Sequence, residues 1–422
     1  MSNRRKENVV VTETMTPPKP DPVSSVRDTI PDAPPDREEL AARAASLCPL
    51  LWEDAAENDR ARRLTERSVA AITDHGLMRL MTPPRFGGHG TGAAALLDVA
   101  IALGRGCCSA SWVTGVLNVG NFVASLFPEA AHQDVWGGDP NARTAQVLGL
   151  PARNVEPAEG GVTVTGEWAY MSGSSHAEWV CVLLARGAGT ATGVHFALMP
   201  SEELEVRDTW HFTGMRGTGS NTVVAERVFV PEHRLLAYQP VLNGEMTSED
   251  AATAYRNSLT GIFSIGLIGS LIGGAEAALR YTLDKAPDRP AAGSTYPTQA
   301  DAPPVQRSLA AAATRVDSAK LHAYRIADSV DEHARADSDA DSLTRARSRM
   351  ESTRVAELCR EAVEELLTAY GSSGFNEANP LQRIWRDIHV GSRHAGFGMG
   401  VPHQLYGHAL VGKDPREISA LV

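Results

Sequence analysis

Three clusters of residues in this chain have types and spacings that could do chemistry. The first runs Gly166-Glu167-Trp168-Ala169-Tyr170-Met171-Ser172-Gly173-Ser174-Ser175-His176-Ala177-Glu178-Trp179. The second is Asp208-Thr209-Trp210 with Gly214-Met215-Arg216-Gly217-Thr218-Gly219-Ser220, followed by Val228-Phe229-Val230-Pro231. The third joins Tyr370-Gly371-Ser372-Ser373-Gly374-Phe375-Asn376 to Pro380-Leu381-Gln382-Arg383-Ile384-Trp385-Arg386-Asp387 and His394. An imidazole with an unperturbed pKa of about 6.5, such as that of His394, can take or give a proton near neutrality; a satisfied bundle histidine is the plainer account. Arg216 can grip a phosphate or carboxylate with its planar fork, and an internal ion pair explains it equally well. Trp112 and Trp210 can pack on a flat ring, or simply fill the core. Ser172 stands in a Ser-Gly pair that suits a tight turn for backbone reasons alone.

Other chemistries are disfavoured. Gly217-Thr218-Gly219-Ser220 lacks the third glycine of a dinucleotide fingerprint and precedes a strand, not a helix. Ser172 and His176 are too close in a turn to align as a hydrolase dyad, and no nucleophile elbow surrounds them. The five cysteines, at 48, 107, 108, 181 and 359, include no Cys-x-x-Cys pair or zinc spacing and read as reduced thiols of a cytoplasmic protein. A net charge of −11 without any Lys/Arg block argues against nucleic acid as a partner.

The elements that must position these residues follow from composition and periodicity. A chain of 422 residues with 43% hydrophobic and 22% charged residues predicts an enzyme-like globule of two or three domains. Residues 1–35 are polar and Pro-rich, without a signal core, and predict disorder. Residues 36–145 carry helical periodicity, with Ser109 placed to cap a helix bearing Trp112. Residues 146–242 read as short strands between turn signals, a compact barrel or sandwich. Residues 243–422 return to long Ala-rich helices, each long enough for a four-helix bundle, with five prolines between Ala286 and Pro304 marking a flexible connection. The uncharged stretch Asn257 to Ala275 approaches the length of about 20 residues that spans a bilayer. Its five glycines favour instead a buried helix in close contact with others, and no membrane partner is expected. The fold class is α+β, mainly α: an N-terminal helical domain, a middle β-barrel domain and a C-terminal four-helix bundle.

Taken together and in this order, the three clusters resemble the acyl-CoA dehydrogenase superfamily, over about Arg37 to Gly412. That resemblance implies a flavin between the β-domain and the bundle, in a homotetramer. The departures from true dehydrogenases are informative. Counting on from Arg386-Asp387 puts His394-Ala395-Gly396-Phe397 where those enzymes carry their catalytic glutamate, and alanine cannot abstract a proton. At the bundle's first helix, where other dehydrogenases place the base, Ala252 to Asn257 offers no carboxylate, and Glu276 lies farther along. The Thr-Glu-Pro-x-Ala-Gly-Ser-Asp segment is absent as well. The phrases Arg79-Leu80-Met81-Thr82-Pro83, Phe86-Gly87-Gly88 and Gly104-Arg105-Gly106-Cys107-Cys108-Ser109-Ala110-Ser111-Trp112 are similar instead to flavin-dependent phenol and steroid-ring hydroxylases of the same superfamily.

The resemblance implies a two-component monooxygenase. It would use reduced FAD or FMN from a separate flavin reductase, and O2 through a flavin hydroperoxide, to hydroxylate an aromatic or polyketide-like molecule. Ser172 matches the position that hydrogen-bonds the flavin's central-ring nitrogen, with Tyr170, Gly173, Trp210 and Arg216 as further flavin neighbours. His394 falls on an active-site histidine that acts on the phenol or the peroxide, and Trp112 and His394 line the substrate pocket. Three rivals remain open: N-oxygenation of an amine or amino sugar, an acyl-CoA dehydrogenase or oxidase with a relocated base, and a flavin-binding scaffold without turnover.

Overall fold

The computed structural model describes residues 35–186, 193–243, 259–419 and 421. The expected disorder of 1–35 therefore falls outside the described residues except for Pro35, and so does Ala252 to Asn257. Six helices come first: α1 (Arg37–Ser46), α2 (Cys48–Ala61), α3 (Glu66–Asp74), α4 (Ala93–Gly106), α5 (Cys108–Ala124) and α6 (Glu129–Trp136). Helix α5 is mostly apolar or small and buries every one of its 17 residues, as a helix enclosed on all sides must. It begins one residue before Ser109. Cys107 supplies the extended N-cap backbone (φ −156°, ψ 120°) with no side-chain cap bond, so Ser109 does not cap it.

The middle domain holds β1 (Thr144–Gln146), β2 (Asn154–Ala158), β3 (Gly161–Met171), β4 (Trp179–Ala185), β5 (Val194–Pro200), β6 (Glu205–Arg207), β7 (Asn221–Pro231) and β8 (Leu235–Ala237). The strands pair as two four-stranded sheets, β1-β4-β5-β8 and β2-β3-β7-β6. These two sheets make up the compact β-domain; alternation along a strand shows which face is buried but not which strand lies alongside. The pairing of β3 with β7 slips by one residue between Trp168 and Met171. Such a bulge bends the bulged strand; here Tyr170 takes a φ of 66°, and Ser172 leaves the sheet just after Met171 pairs with Asn221.

After α7 (Tyr238–Asn243) come α8 (Leu259–Lys285), α9 (Pro303–Arg335), α10 (Ser342–Tyr370), α11 (Pro380–Gly391) and α12 (Val401–Leu410). Helices α8 to α11 pack on one another as the expected bundle, and α4 and α5 lie against α8. Helix α8 is long and apolar enough to cross a membrane, but 78% of its most apolar window is buried inside the protein, the condition of a core helix. Its glycines are the reason it fits. A Cβ built on Gly273 would sit 2.3 Å from the Ile101 carbonyl oxygen and 2.7 Å from the Gly104 Cα, so the backbones of α8 and α4 touch.

The short helix α11 positions the last cluster. Asn379 caps it by accepting the Leu381 N–H at 2.9 Å, and Pro380 occupies its first turn. Leu381, Ile384, Ile388 and Gly391 form its buried face, and Asp387 lies on that same face. The proline-bearing connection before α9 is anchored as well: the Arg289 guanidinium stacks 3.7 Å from the Tyr370 ring centroid and donates to the Tyr370 carbonyl and the Ser373 hydroxyl.

Candidate functional site

Ser172, at the end of the bulged strand, is half-buried. Its hydroxyl receives the indole N–H of Trp112, from α5, at 3.2 Å and lies 2.7 Å from the Ser220 hydroxyl. Ser220 lies in turn 2.7 Å from the Thr218 hydroxyl, and Thr218 donates to the Met215 carbonyl at 2.7 Å. The same carbonyl receives the Trp210 indole N–H at 2.8 Å. Gly173 takes a φ of 74°, a left-handed value that suits glycine, and donates its N–H to the Thr218 carbonyl at 2.9 Å. A turn from β3 and the turn before β7 are thus tied into one unit.

On the other side of Trp112 stands His394, just beyond the C-terminus of α11. The two rings meet edge to face with centroids 5.7 Å apart. The imidazole is exposed, yet burial lowers its pKa to about 4. Loss of bulk water around the ring penalises its charged form. Near neutral pH His394 is uncharged.

Tyr170, Trp210 and Phe212 form an aromatic platform beside the serine turn. Trp210 and Phe212 stack with centroids 3.9 Å apart, and Tyr170 meets each edge-on at 6.2 Å. Trp210 is buried, whereas Tyr170 is 63% and Phe212 38% exposed, so one side of the platform is open.

Arg216 meets this group at the Phe212 carbonyl. Its Nε donates to the Asp59 carbonyl at 2.9 Å and its Nη1 to the Phe212 carbonyl at 3.1 Å, with the Asp59 carboxylate 3.7 Å away. The internal ion pair is what the geometry holds. Asp59 is also gripped by both terminal nitrogens of Arg386, at 3.1 and 3.0 Å, so the knot joins α2, the turn before β7 and α11.

Asp387 is buried despite its charge. It is 4% exposed, and its Oδ1 accepts the Met215 N–H at 2.6 Å. Burial raises its carboxyl pKa to about 7. The remaining carboxylate of interest, Glu276, is occupied by Arg105 at 2.6 Å and Lys320 at 2.9 Å. Among the described residues, no Asp or Glu is hydrogen-bonded to Ser172, Trp112, Trp210 or His394. The described residues also contain no metal-ligating cluster.

The structure therefore brings Ser172, Gly173, Tyr170, Trp112, Trp210 and His394 together and ties Arg216 to Asp59 and to the Phe212 carbonyl. Sequence reasoning passed over Thr218, Ser220 and Phe212 as functional residues. The Gly-Thr-Gly-Ser run announces a hydroxyl-rich turn, but no spacing in it points to Ser172, 48 residues from Ser220. Asp387 could have been placed, since it falls on the apolar row of its helix.

Comparison with known proteins identifies the family. The family model for the acyl-CoA dehydrogenase N-terminal domain matches residues 35–135 and that for the C-terminal domain residues 265–398. The oxygenase component of an FADH2-dependent resorcinol hydroxylase from Rhizobium sp. (strain MTP-10005) is 30% identical over 393 residues, 89% of this chain and 95% of that protein. Among solved structures, XiaF from Streptomyces sp., in complex with FADH2 and glycerol, is 34% identical with a TM-score of 0.85, covering 90% of this chain and 96% of that one. The HsaA monooxygenase from M. tuberculosis also gives a TM-score of 0.85 at 27% identity, covering 92% of this chain and all of that one. This chain belongs to the flavin-dependent monooxygenases of the acyl-CoA dehydrogenase superfamily, as one of their oxygenase components.

Proposed function

We propose that this chain takes up reduced FAD or FMN delivered by a separate reductase and hydroxylates a phenol-like aromatic substrate with O2. When bound, reduced flavin supplies two electrons to O2, so that one oxygen atom enters the substrate and the other leaves as water. The observation that carries the reading is the placement of Ser172 and His394 on either side of Trp112, with no carboxylate among them.

The residues suit a flavin on grounds of their own. Ser172 keeps an unused lone pair at the mouth of a dry hydroxyl cluster, and the open side of the Tyr170–Phe212 platform offers flat aromatic surface to a flat ring. Trp112, buried to 5% exposure, walls the site against water between the serine and the histidine. Neutral His394 can hold a substrate oxygen by donating from its ring N–H, which orients the aromatic ring for oxygen transfer. Fixed donors and acceptors need little reorganisation as charge develops.

The names of the relatives, a resorcinol hydroxylase among them, support an aromatic substrate and a partner reductase. Family likeness supports a homotetramer, and five free cysteines support a reducing, cytoplasmic setting. The test supplies the purified protein with chemically reduced FAD or FMN, O2 and a panel of phenols, amines and acyl-CoA thioesters, then reads products by mass spectrometry. Hydroxylated phenol in proportion to flavin oxidised is the expected result. N-oxidised product, or bleaching of oxidised flavin by a thioester without any reductant, would overturn it.

A further inference from the structure

The hydroxyl cluster behind Ser172 has only one consistent arrangement of protons. It contains three oxygen–oxygen gaps of 2.7 Å: Met215 carbonyl to Thr218, Thr218 to Ser220, and Ser220 to Ser172. Two oxygens at that separation repel unless a proton lies between them, so each gap needs one. Three hydroxyls supply three protons, and the carbonyl at the far end supplies none. Thr218 must therefore donate to Met215, Ser220 to Thr218, and Ser172 to Ser220. Thr218 and Ser220 are 1% and 4% exposed, which keeps bulk water from offering them other partners.

At the near end Ser172 has spent its only proton. One of its two lone pairs takes the Trp112 indole N–H, a group that can only donate. What Ser172 has left to offer is a single lone pair, an acceptor. The far end is equally fixed. Met215 stands at a φ of 51°, and its N–H is held by Asp387, so its carbonyl stays turned toward Thr218 and Trp210.

We propose that Thr218 and Ser220 are positioning residues that hold Ser172 as a hydrogen-bond acceptor and so make the site select reduced over oxidised flavin. This rests on the reading that Ser172 faces the flavin's central ring. In a reduced flavin the central-ring nitrogen carries a proton and can donate to Ser172. In an oxidised flavin the same nitrogen carries a lone pair, and two acceptors would face each other. A reductase partner then delivers a flavin that fits, and the spent oxidised flavin is released.

The test measures dissociation constants for oxidised FAD and FMN in air, and for the dithionite-reduced forms under anaerobic conditions. The proteins are the wild type, Thr218→Val, Ser220→Ala, Thr218→Ser and Ser172→Ala. Either break in the chain frees the Ser172 proton. The preference for reduced flavin is then expected to narrow by about tenfold, mainly through tighter binding of oxidised flavin, and Thr218→Ser should restore it. A flavin-free readout comes from 19F spectra of 5-fluorotryptophan-labelled protein. The Trp112 signal, identified by Trp112→Phe, should move in Thr218→Val and Ser220→Ala and return in Thr218→Ser. If Ser172→Ala leaves every affinity unchanged, the placement of Ser172 against the flavin is wrong. If Ser172→Ala changes affinity while Thr218→Val and Ser220→Ala keep the wild-type preference, the placement stands and the one-way chain is refuted. Should one broken-chain variant not fold, the other decides the matter.

Discussion

The amide N–H of Gly396 donates to Nδ1 of His394 at 3.2 Å. An imidazole whose pKa burial has lowered to about 4 is neutral at pH 7, so its one ring proton then resides on Nε2. On the proposed reading His394 meets a substrate oxygen as a donor, and the general-base role open to an unperturbed imidazole gives way to holding and orienting that oxygen. His394→Ala is expected to slow product formation about a hundredfold while reduced-flavin affinity stays within about twofold of wild type. Because the ring stays neutral as pH falls through about 6.5, the rate should show no limb there that disappears in the variant. Such a limb in the wild-type profile, absent from His394→Ala, would restore the base role.

Ser172→Ala removes the hydroxyl that stands at the open end of the cluster, and leaves the bond between Ser220 and Thr218 intact. Losing one buried hydrogen bond is worth about a factor of ten in a rate or affinity. The expected outcome is about tenfold more hydrogen peroxide released per flavin oxidised, with protein stability little changed. Equal coupling of O2 consumption to product in the variant and the wild type would count against any contact between Ser172 and the flavin.

The helical–β–helical order was legible in the sequence from periodicity, whereas Ser172 and His394 were singled out through the resemblance to the acyl-CoA dehydrogenase superfamily rather than by any local pattern. What escaped was whatever depends on pairing across distance. Nothing local distinguishes Ser220 as the partner of Ser172, or Asp59 as the partner of Arg216 and Arg386. A run of Arg, Arg and Asp on one helix looks solvated. Yet the spacing of Leu381, Ile384 and Ile388 turns Asp387 inward while Arg386 reaches Asp59. The barrel expectation resolved into two sheets for the same reason: strand length and alternation are written in the chain, and the neighbour is not.

Asp387 has a measurable signature in stability. Its folded pKa is about 7 against an ordinary 3.8, chiefly from burial. Between those values the folded protein keeps a proton that the unfolded chain has released. Stability from this group thus falls as pH rises through that window, and the full cost of the buried charge stands above about pH 7. An asparagine side chain at this position would keep an acceptor for the Met215 N–H without the charge. Asp387→Asn is therefore expected to gain stability relative to wild type between about pH 5 and pH 8, by about 3 kcal/mol, in paired urea denaturation curves. A difference that is flat with pH would mean the carboxylate is ionised throughout, compensated by Arg383 and Arg386.

The backbone contact between α8 and α4 sets a second stability test, with a control on another helix. A methyl at Gly273 meets the Ile101 carbonyl at 2.3 Å and the Gly104 Cα at 2.7 Å. Both are backbone, so relief requires moving a whole helix rather than turning a side chain. Gly273→Ala should then destabilise the protein by about 3 kcal/mol, the upper end for overpacking. Helix α4 leads directly through Cys107 into α5, which carries Trp112, so its displacement should also weaken the Trp112 bond to Ser172 and shift the indole fluorescence. Gly407 on α12 has nothing within 4 Å of an added methyl. There the same substitution only trades a poor helix former for a good one, and Gly407→Ala should leave stability unchanged or raise it by up to about 1 kcal/mol. Equal effects at the two glycines would show that helix propensity, not the approach of α8 to α4, governs both.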